Sequence, residues 1–175
     1  KPIRYIPFGL QYTGGLPGER GQWQFNLGIT ASLRGLADRD LLCDDGVVRD
    51  QFDCKRAGAR PNFAVLRGDV QRTQVLGGGW DLLARLDFQA ASQPLISNEQ
   101  FSAGGGDSVR GYLDGERQGD DAMRGRVEVR TPGLLAESRV EVRAIGFGDW
   151  ASLQLHDALP QQESRYDIGS WGVGL

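Results

Sequence analysis

Polar and apolar residues change places one by one along most of this chain. The segment QWQFNLGITASL at 22–33 puts Trp23, Phe25, Leu27, Ile29, Ala31 and Leu33 on one face, against Gln22, Gln24, Asn26, Gly28, Thr30 and Ser32. Successive side chains of an extended strand point to opposite faces, so this alternation predicts a β-strand with one apolar and one wet side. WDLLARLDFQA at 80–90 repeats it, with Trp80, Leu82, Ala84, Leu86, Phe88 and Ala90 opposing Asp81, Leu83, Arg85, Asp87 and Gln89. Weaker versions run over 4–12 (Ile6, Phe8, Leu10 and Tyr12 aligned) and 62–75 (Leu66 and Val70 against Arg67, Asp69, Gln71 and Thr73). Others run over 122–131 (Met123, Val127 and Val129 against Arg124, Arg126, Glu128 and Arg130) and 139–150 (Val140, Val142, Ala144 and Trp150 against Arg139, Glu141 and Arg143). With an incomplete segment at 165–175 the pattern predicts seven strands, and helical periodicity is nearly absent.

The two clearest runs reach at least ten residues, against about five or six for an ordinary soluble strand. Their connections alternate in length. LGGGW at 76–80 and TPGLLAES at 131–138 read as short turns, while 35–61 and 92–120 are long. Long loops at one end and short turns at the other are the habit of transmembrane barrels. The polar face bears on the same choice. Arg124, Arg126, Glu128 and Arg130 would lie beside Arg139, Glu141 and Arg143, which a dry sandwich core tolerates only in tightly paired form. Charge alone does not separate a water-filled lumen from open solvent. Strand length, the strand-end aromatics Trp23, Trp80 and Trp150, and the loop asymmetry favour the lumen. The expected class is all-β, an antiparallel transmembrane β-barrel.

Composition narrows the field further. No stretch approaches the roughly 18 apolar residues of a membrane-spanning helix, which excludes a helical membrane protein and leaves barrels untouched. The 26 glycines and a net charge of −3 carry no basic tract, so nucleic acid is not an expected partner. Of the 20 basic residues only Lys1 and Lys55 are lysines, a weak bias toward fixed, bidentate ion pairing. KPIRYIPFGL at the start lacks the pattern of a signal peptide, and the chain both starts and stops inside strand-like stretches. A piece of a longer protein is the expectation. Cys43 and Cys54 lie within the polar segment LLCDDGVVRDQFDCKR; a disulfide in an oxidising compartment fits this context, with two free thiols as the alternative.

Catalytic and metal chemistry finds little support. His156 has no patterned cysteine or serine partner and reads as a surface loop residue. Asp44–Asp45 and Asp120–Asp121 read as solvated loop carboxylates without calcium-loop spacing. GGLPGERG and GGGDSVRG lack the strand–glycine–helix setting of a nucleotide site. Neither enzyme activity, cofactor nor metal is expected.

One loop stands apart. NEQFSAGGGDSVRGYLDGERQGDD at 98–121 lies in a long connection, with Gly104, Gly105 and Gly106 followed by Val109, Arg110, Gly111 and Tyr112. It resembles the signature loop of the outer-membrane barrels that carry periplasmic POTRA domains, in which a Val-Arg-Gly-Tyr/Phe motif closes a glycine-containing loop that folds back into the barrel. A second motif of that superfamily, Phe-x-Asp-x-Gly, is matched by Phe147 and Asp149 of GFGDWA, with Ala151 in place of the last glycine. On the alternation, Phe147 and Asp149 share the polar face of Arg139, Glu141 and Arg143. IRYIPFGLQYTG, EQFSAGGGDSVRGYLDGE and RGRVEVRTPGL make the chain similar to the two-partner secretion translocators of the haemolysin secretion/activation (ShlB/FhaC/HecB) type.

The resemblance implies a sixteen-stranded barrel, of which residues 1–175 would hold about seven strands, roughly the eighth to the fourteenth, with the POTRA domains outside this chain. It implies that Arg110 pairs with Asp149 inside the lumen. It further implies a monomer in the Gram-negative outer membrane, in contact with lipid, exporting a large secreted exoprotein. The alternatives are an assembly factor of the BamA/TamA kind and, from another class, a soluble β-sheet binding domain.

Overall fold

A computed structural model describes residues 2–33, 39–134 and 141–175. Eleven strands follow in chain order: β1 (Pro7–Gly18), β2 (Gly21–Ser32), β3 (Asp40–Leu42), β4 (Val48–Asp50), β5 (Ala64–Gly77) and β6 (Trp80–Ala91), then β7 (Phe101–Ala103), β8 (Arg117–Gly119), β9 (Asp121–Arg130), β10 (Ile145–Gln154) and β11 (Arg165–Gly174). Seven of them make one sheet in the order β1–β2–β5–β6–β9–β10–β11, every neighbouring pair antiparallel. This up-and-down meander is the curved wall of a partial barrel. The two short pairs, β3–β4 and β7–β8, sit in the two long connections, where the alternation had no signal to offer.

The outward face is apolar and left uncovered. Leu10, Tyr12, Leu16, Leu27, Ile29, Val127 and Trp150 are all exposed there. A soluble sandwich would bury this face against a second sheet; a barrel wall turns it to lipid. Charged residues on this side lie toward the strand ends: Arg165 and Asp167 of β11 at the rim, and Arg72 opposite Trp23 near the short-turn end, with its guanidinium carbon 5.2 Å from the indole ring. An arginine beside a tryptophan at that level suits the membrane–water boundary.

Glycines inside the strands are covered by rings from directly opposite positions. Phe25 lies over Gly14 and Phe88 over Gly68 on the outside, and Phe147 lies over Gly172 on the inside. Glycine in a strand costs about 0.5–1 kcal/mol relative to alanine, and an aromatic ring folded across it restores contact area. This explains one departure from the sequence expectation. The strand expected at 4–12 runs instead over Pro7–Gly18, because Gly14, Gly15 and Pro17 pair in the ladder rather than forming a turn.

The strand expected at 139–150 is also displaced. β10 begins at Ile145 and continues to Gln154, while Arg139 and Val140 lie outside the described residues. The turn expected at 131–138 is a longer connection, part of which (135–140) is likewise outside them. Its ends stay paired through Thr131 N–H to the Ala144 carbonyl at 2.9 Å and Leu134 N–H to the Val142 carbonyl at 2.8 Å.

Two small apolar clusters replace a central core. One packs Phe52, Ala59, Phe63, Val65, Leu95 and Ile96 with Ile3, Tyr5 and Ala91 under the long loops at the rim. The other packs Ala103, Val109, Ala122, Ala151, Leu153 and Ile168 between the glycine-rich loop and the wall. That second cluster positions the site.

Candidate functional site

The glycine-rich connection between β6 and β9 leaves the rim, pairs with itself through β7–β8, and turns its tip against the inner face of β9–β11. Gly104 and Gly105 have φ of 113° and 100°, and a Cβ on either would collide with Leu113 or Asp114 of the returning leg. Only glycine allows that tight double-back. Gly106 is not restricted in this way, whereas Gly111, just after the arginine, has φ 88°. Val109 is fully buried in the apolar cluster, and Tyr112 donates its hydroxyl to the Gly169 carbonyl at 3.3 Å. Anchors therefore flank Arg110 on both sides.

Arg110 meets Asp149 as a fork. Nε donates to Oδ2 at 2.7 Å, Nη2 to Oδ1 at 2.9 Å, and the Arg110 backbone N–H adds a bond to Oδ2 at 3.2 Å. The remaining arm, Nη1, donates to Glu128 Oε2 at 3.1 Å, and the guanidinium carbon stacks 3.5 Å from the centre of the Phe147 ring. Arg126 joins from β9: its Nε donates to Asp149 Oδ1 at 3.1 Å, while Nη2 holds the Gly106 and Ser108 carbonyls at 3.2 and 3.0 Å. Arg130 completes the cluster with a 2.7 Å bond to Glu128 Oε1. Bidentate, charge-assisted bonds of this kind are the strong class of ion pair, and a planar guanidinium over an aromatic face adds a cation–π contact.

Ala151, which stands where the motif has glycine, is fully buried in the apolar cluster beneath the loop. Its methyl group fills space rather than disturbing the backbone. Glu128 and Arg126 were visible as inward positions by phase but carried no motif, so their partnership with Arg110 had to come from the register Asp149↔Arg126 and Phe147↔Glu128.

A second ionic centre sits at the rim, and here the sequence reading is corrected. Asp120 was expected to be a solvated loop residue; its side chain is fully buried. Arg56 grips it with both arms, Nη2 to Oδ2 at 2.6 Å and Nη1 to Oδ1, while the same guanidinium holds the Leu95 and His156 carbonyls at 2.7 and 2.9 Å. The backbone N–H groups of Leu95 and His156 add bonds to the carboxylate at 3.0 and 2.7 Å, and Gln100 adds one at 3.2 Å. Burial pushes this carboxyl upward, but Arg56 and the two backbone donors outweigh it and hold the pKa below the ordinary aspartate range. His156, expected to be plain surface, places Nε2 2.6 Å from Asp121 Oδ2. No residue pattern announces a clamp assembled from three separate connections.

The same rim carries the cysteines. Cys43 and Cys54 are joined in a disulfide with Cα atoms 5.3 Å apart, closing the β3–β4 hairpin onto the segment that presents Arg56. Among the described residues no group of histidine, cysteine and carboxylate side chains is arranged to hold a metal ion.

Residues 7–175 match the family model of the haemolysin secretion/activation protein ShlB/FhaC/HecB. The chain belongs to that family. The ShlB/FhaC/HecB proteins are transporters of the Gram-negative outer membrane, and the seven-stranded sheet is part of such a barrel. Among solved structures the chain is similar to CdiB from Escherichia coli, with a TM-score of 0.72 and 18% identity. That match covers 98% of this chain and 30% of the CdiB chain, and at this identity it supports the fold. No curated protein sequence matches.

Proposed function

We propose that the full-length protein exports a large, unfolded exoprotein across the outer membrane, and that the loop tip pinned at Arg110 governs whether the lumen is usable. In this reading residues 1–175 are the C-terminal part of the barrel, POTRA domains precede it in the parent chain, and the protein works as a monomer and not as a catalyst. Family membership supports the transport role. The observation that carries the role of the loop is the Arg110–Asp149 fork, set between two anchors and shared with Glu128. A loop held by one discrete ionic node can take up two arrangements, held and released, without remaking the wall.

The test is secretion by the intact protein. Arg110→Ala should lower the exoprotein reaching the medium at least tenfold while the barrel still assembles, judged by heat-modifiable mobility in isolated outer membranes. Asp149→Asn should behave alike. Normal secretion by Arg110→Ala would remove the loop from the mechanism, and a wild-type Asp149→Asn beside a defective Arg110→Ala would reassign the partner.

A further inference from the structure

The inner wall has two halves of opposite character. Asp81, Arg85 and Asp87 of β6 and Arg124, Arg126, Glu128 and Arg130 of β9 make one half densely charged, and these groups pair with each other, with Arg110 of the loop, with Asp149 of β10 or with Arg143. The face of β1 and β2 on the same side is identified by Asn26, whose amide donates to Asp69 Oδ2 at 2.9 Å, while Asp69 in turn faces Arg85 at 3.4 Å. Along that face run Gly9, Gln11, Thr13 and Gly15 from β1, and Gln22, Gln24, Asn26, Gly28 and Thr30 from β2, with no charged residue among them. The loop tip is committed to β9–β11 and reaches neither strand.

The glycines of this half have no local cause. None of Gly9, Gly15 and Gly28 has a positive φ, and a Cβ on Gly9 or Gly28 would find its nearest neighbour at 3.7 or 3.6 Å, ordinary contact. Neither backbone strain nor crowding demands glycine, although glycine weakens a strand. What it does provide is a smooth wall with accessible backbone. Gly9, Gln11, Asn26, Gly28 and Thr30 line a trough of about 450 Å³ here, bordered on its far side by Arg67, Asp69 and Asp87 of β5–β6 and by Phe101 of β7.

We propose that this neutral face of β1–β2 is the track along which an extended, unfolded polypeptide slides during export. The inference rests on the export reading above. A chain in transit presents an N–H, a carbonyl and an arbitrary side chain at each residue. Amide and hydroxyl groups exchange hydrogen bonds with any such sequence, because each can donate or accept. A fixed charge would instead hold each oppositely charged residue as it passed, and in a confined, partly desolvated lumen that retention slows passage by orders of magnitude. The charged half is spared this role by being neutralised internally and by carrying the loop.

The experiment uses the full-length transporter with its exoprotein, the latter stalled in transit by a fused, disulfide-locked domain. A photo-reactive benzoylphenylalanine replaces Gln11 or Gln24 on the neutral half, and Leu83 or Arg130 on the charged half. Adducts with the exoprotein should form at least fivefold more at 11 and 24. Equal or reversed yields, or adducts at 11 and 24 only with other parts of the transporter while the exoprotein is stalled, overturn the track. In parallel, Gln11→Lys with Gln24→Lys, and Gln11→Glu with Gln24→Glu, should each slow secretion at least fivefold with the barrel assembled, whereas Gln11→Asn with Gln24→Asn stays within twofold. Wild-type secretion by both charged pairs overturns the proposal. If the unaltered transporter delivers no exoprotein to the surface and no position gives an adduct, the export reading itself fails and the track falls with it.

Discussion

Two arginine–aspartate forks hold the long loop, one at its tip and one at its root, and they differ in what they join. Arg110–Asp149 ties a loop tip to β10, a strand paired on both sides, with the arginine side chain 22% exposed and the carboxylate fully covered. Arg56–Asp120 is enclosed to the same degree, with the arginine side chain 19% exposed and the carboxylate fully covered, but it ties loops to one another at the rim. The first is a contact between a wall strand and a single loop. The second is a keystone, since removing it leaves the Leu95 and His156 backbone donors and a guanidinium without their acceptor. Similar chemistry thus joins one loop to the wall in one place and three connections to one another in the other, and the difference lies in how many independent segments converge on the carboxylate.

The largest expected effect falls on the keystone. Asp120→Ala should destabilise the rim by about 3–5 kcal/mol, as removal of one partner of a desolvated pair does. Limited proteolysis of assembled barrels should then cut the 33–63 and 92–120 segments rapidly while the seven-stranded wall stays intact. An unchanged digestion pattern would deny Asp120 its structural rank. Replacing both partners by apolar residues, Arg56→Met with Asp120→Leu, should recover part of that loss, because no unpaired charge is then left buried.

At the tip the expected cost is smaller. Arg110→Lys keeps the charge but loses the fork, and should weaken loop docking by about 1–2 kcal/mol. Site-directed spin labels at Gly106 would report it as greater mobility of the loop tip, with the rim still resistant to protease. Equal disturbance of both regions would erase the distinction drawn here.

Acid gives the mildest probe. The Asp120 pKa is depressed in the folded protein, so its contribution is complete above the ordinary aspartate value and is lost only as pH falls through the depressed one. Protease resistance of the rim should accordingly be flat from neutral pH to about pH 5 and decline only in stronger acid. A decline already present near pH 6 would point to another group.

Much of the wall was legible in the chain. Period-two alternation in 22–33 and 80–90 corresponds closely to β2 and β6, since one polar and one apolar side leave the same trace in every strand. The tip was legible for a different reason: the loop and its acceptor each carry a compact local motif, and phase alone put Phe147 and Asp149 on the polar face. What misled were rules of local punctuation. The strand expected at 4–12 stopped short of Gly14, Gly15 and Pro17, and the ring that covers Gly14 comes from the opposite strand. Asp120, Asp121 and His156 read as solvated because nothing nearby in sequence pairs with them; their partners are 64 residues away for Asp120 to Arg56, and 35 for His156 to Asp121.

The amino-acid sequence by itself thus determined the strand repertoire, the apolar-out and polar-in phase, the charge division between the early and late strands, and the residues able to join loop to wall. Only the tertiary structure decided which carboxylates are buried, which loops share Asp120, and which half of the inner wall the loop tip leaves open. The reason is physical. Alternation and turn chemistry act between neighbours along the chain, whereas burial of an ion depends on donors gathered from distant segments, and no local pattern records that they will meet.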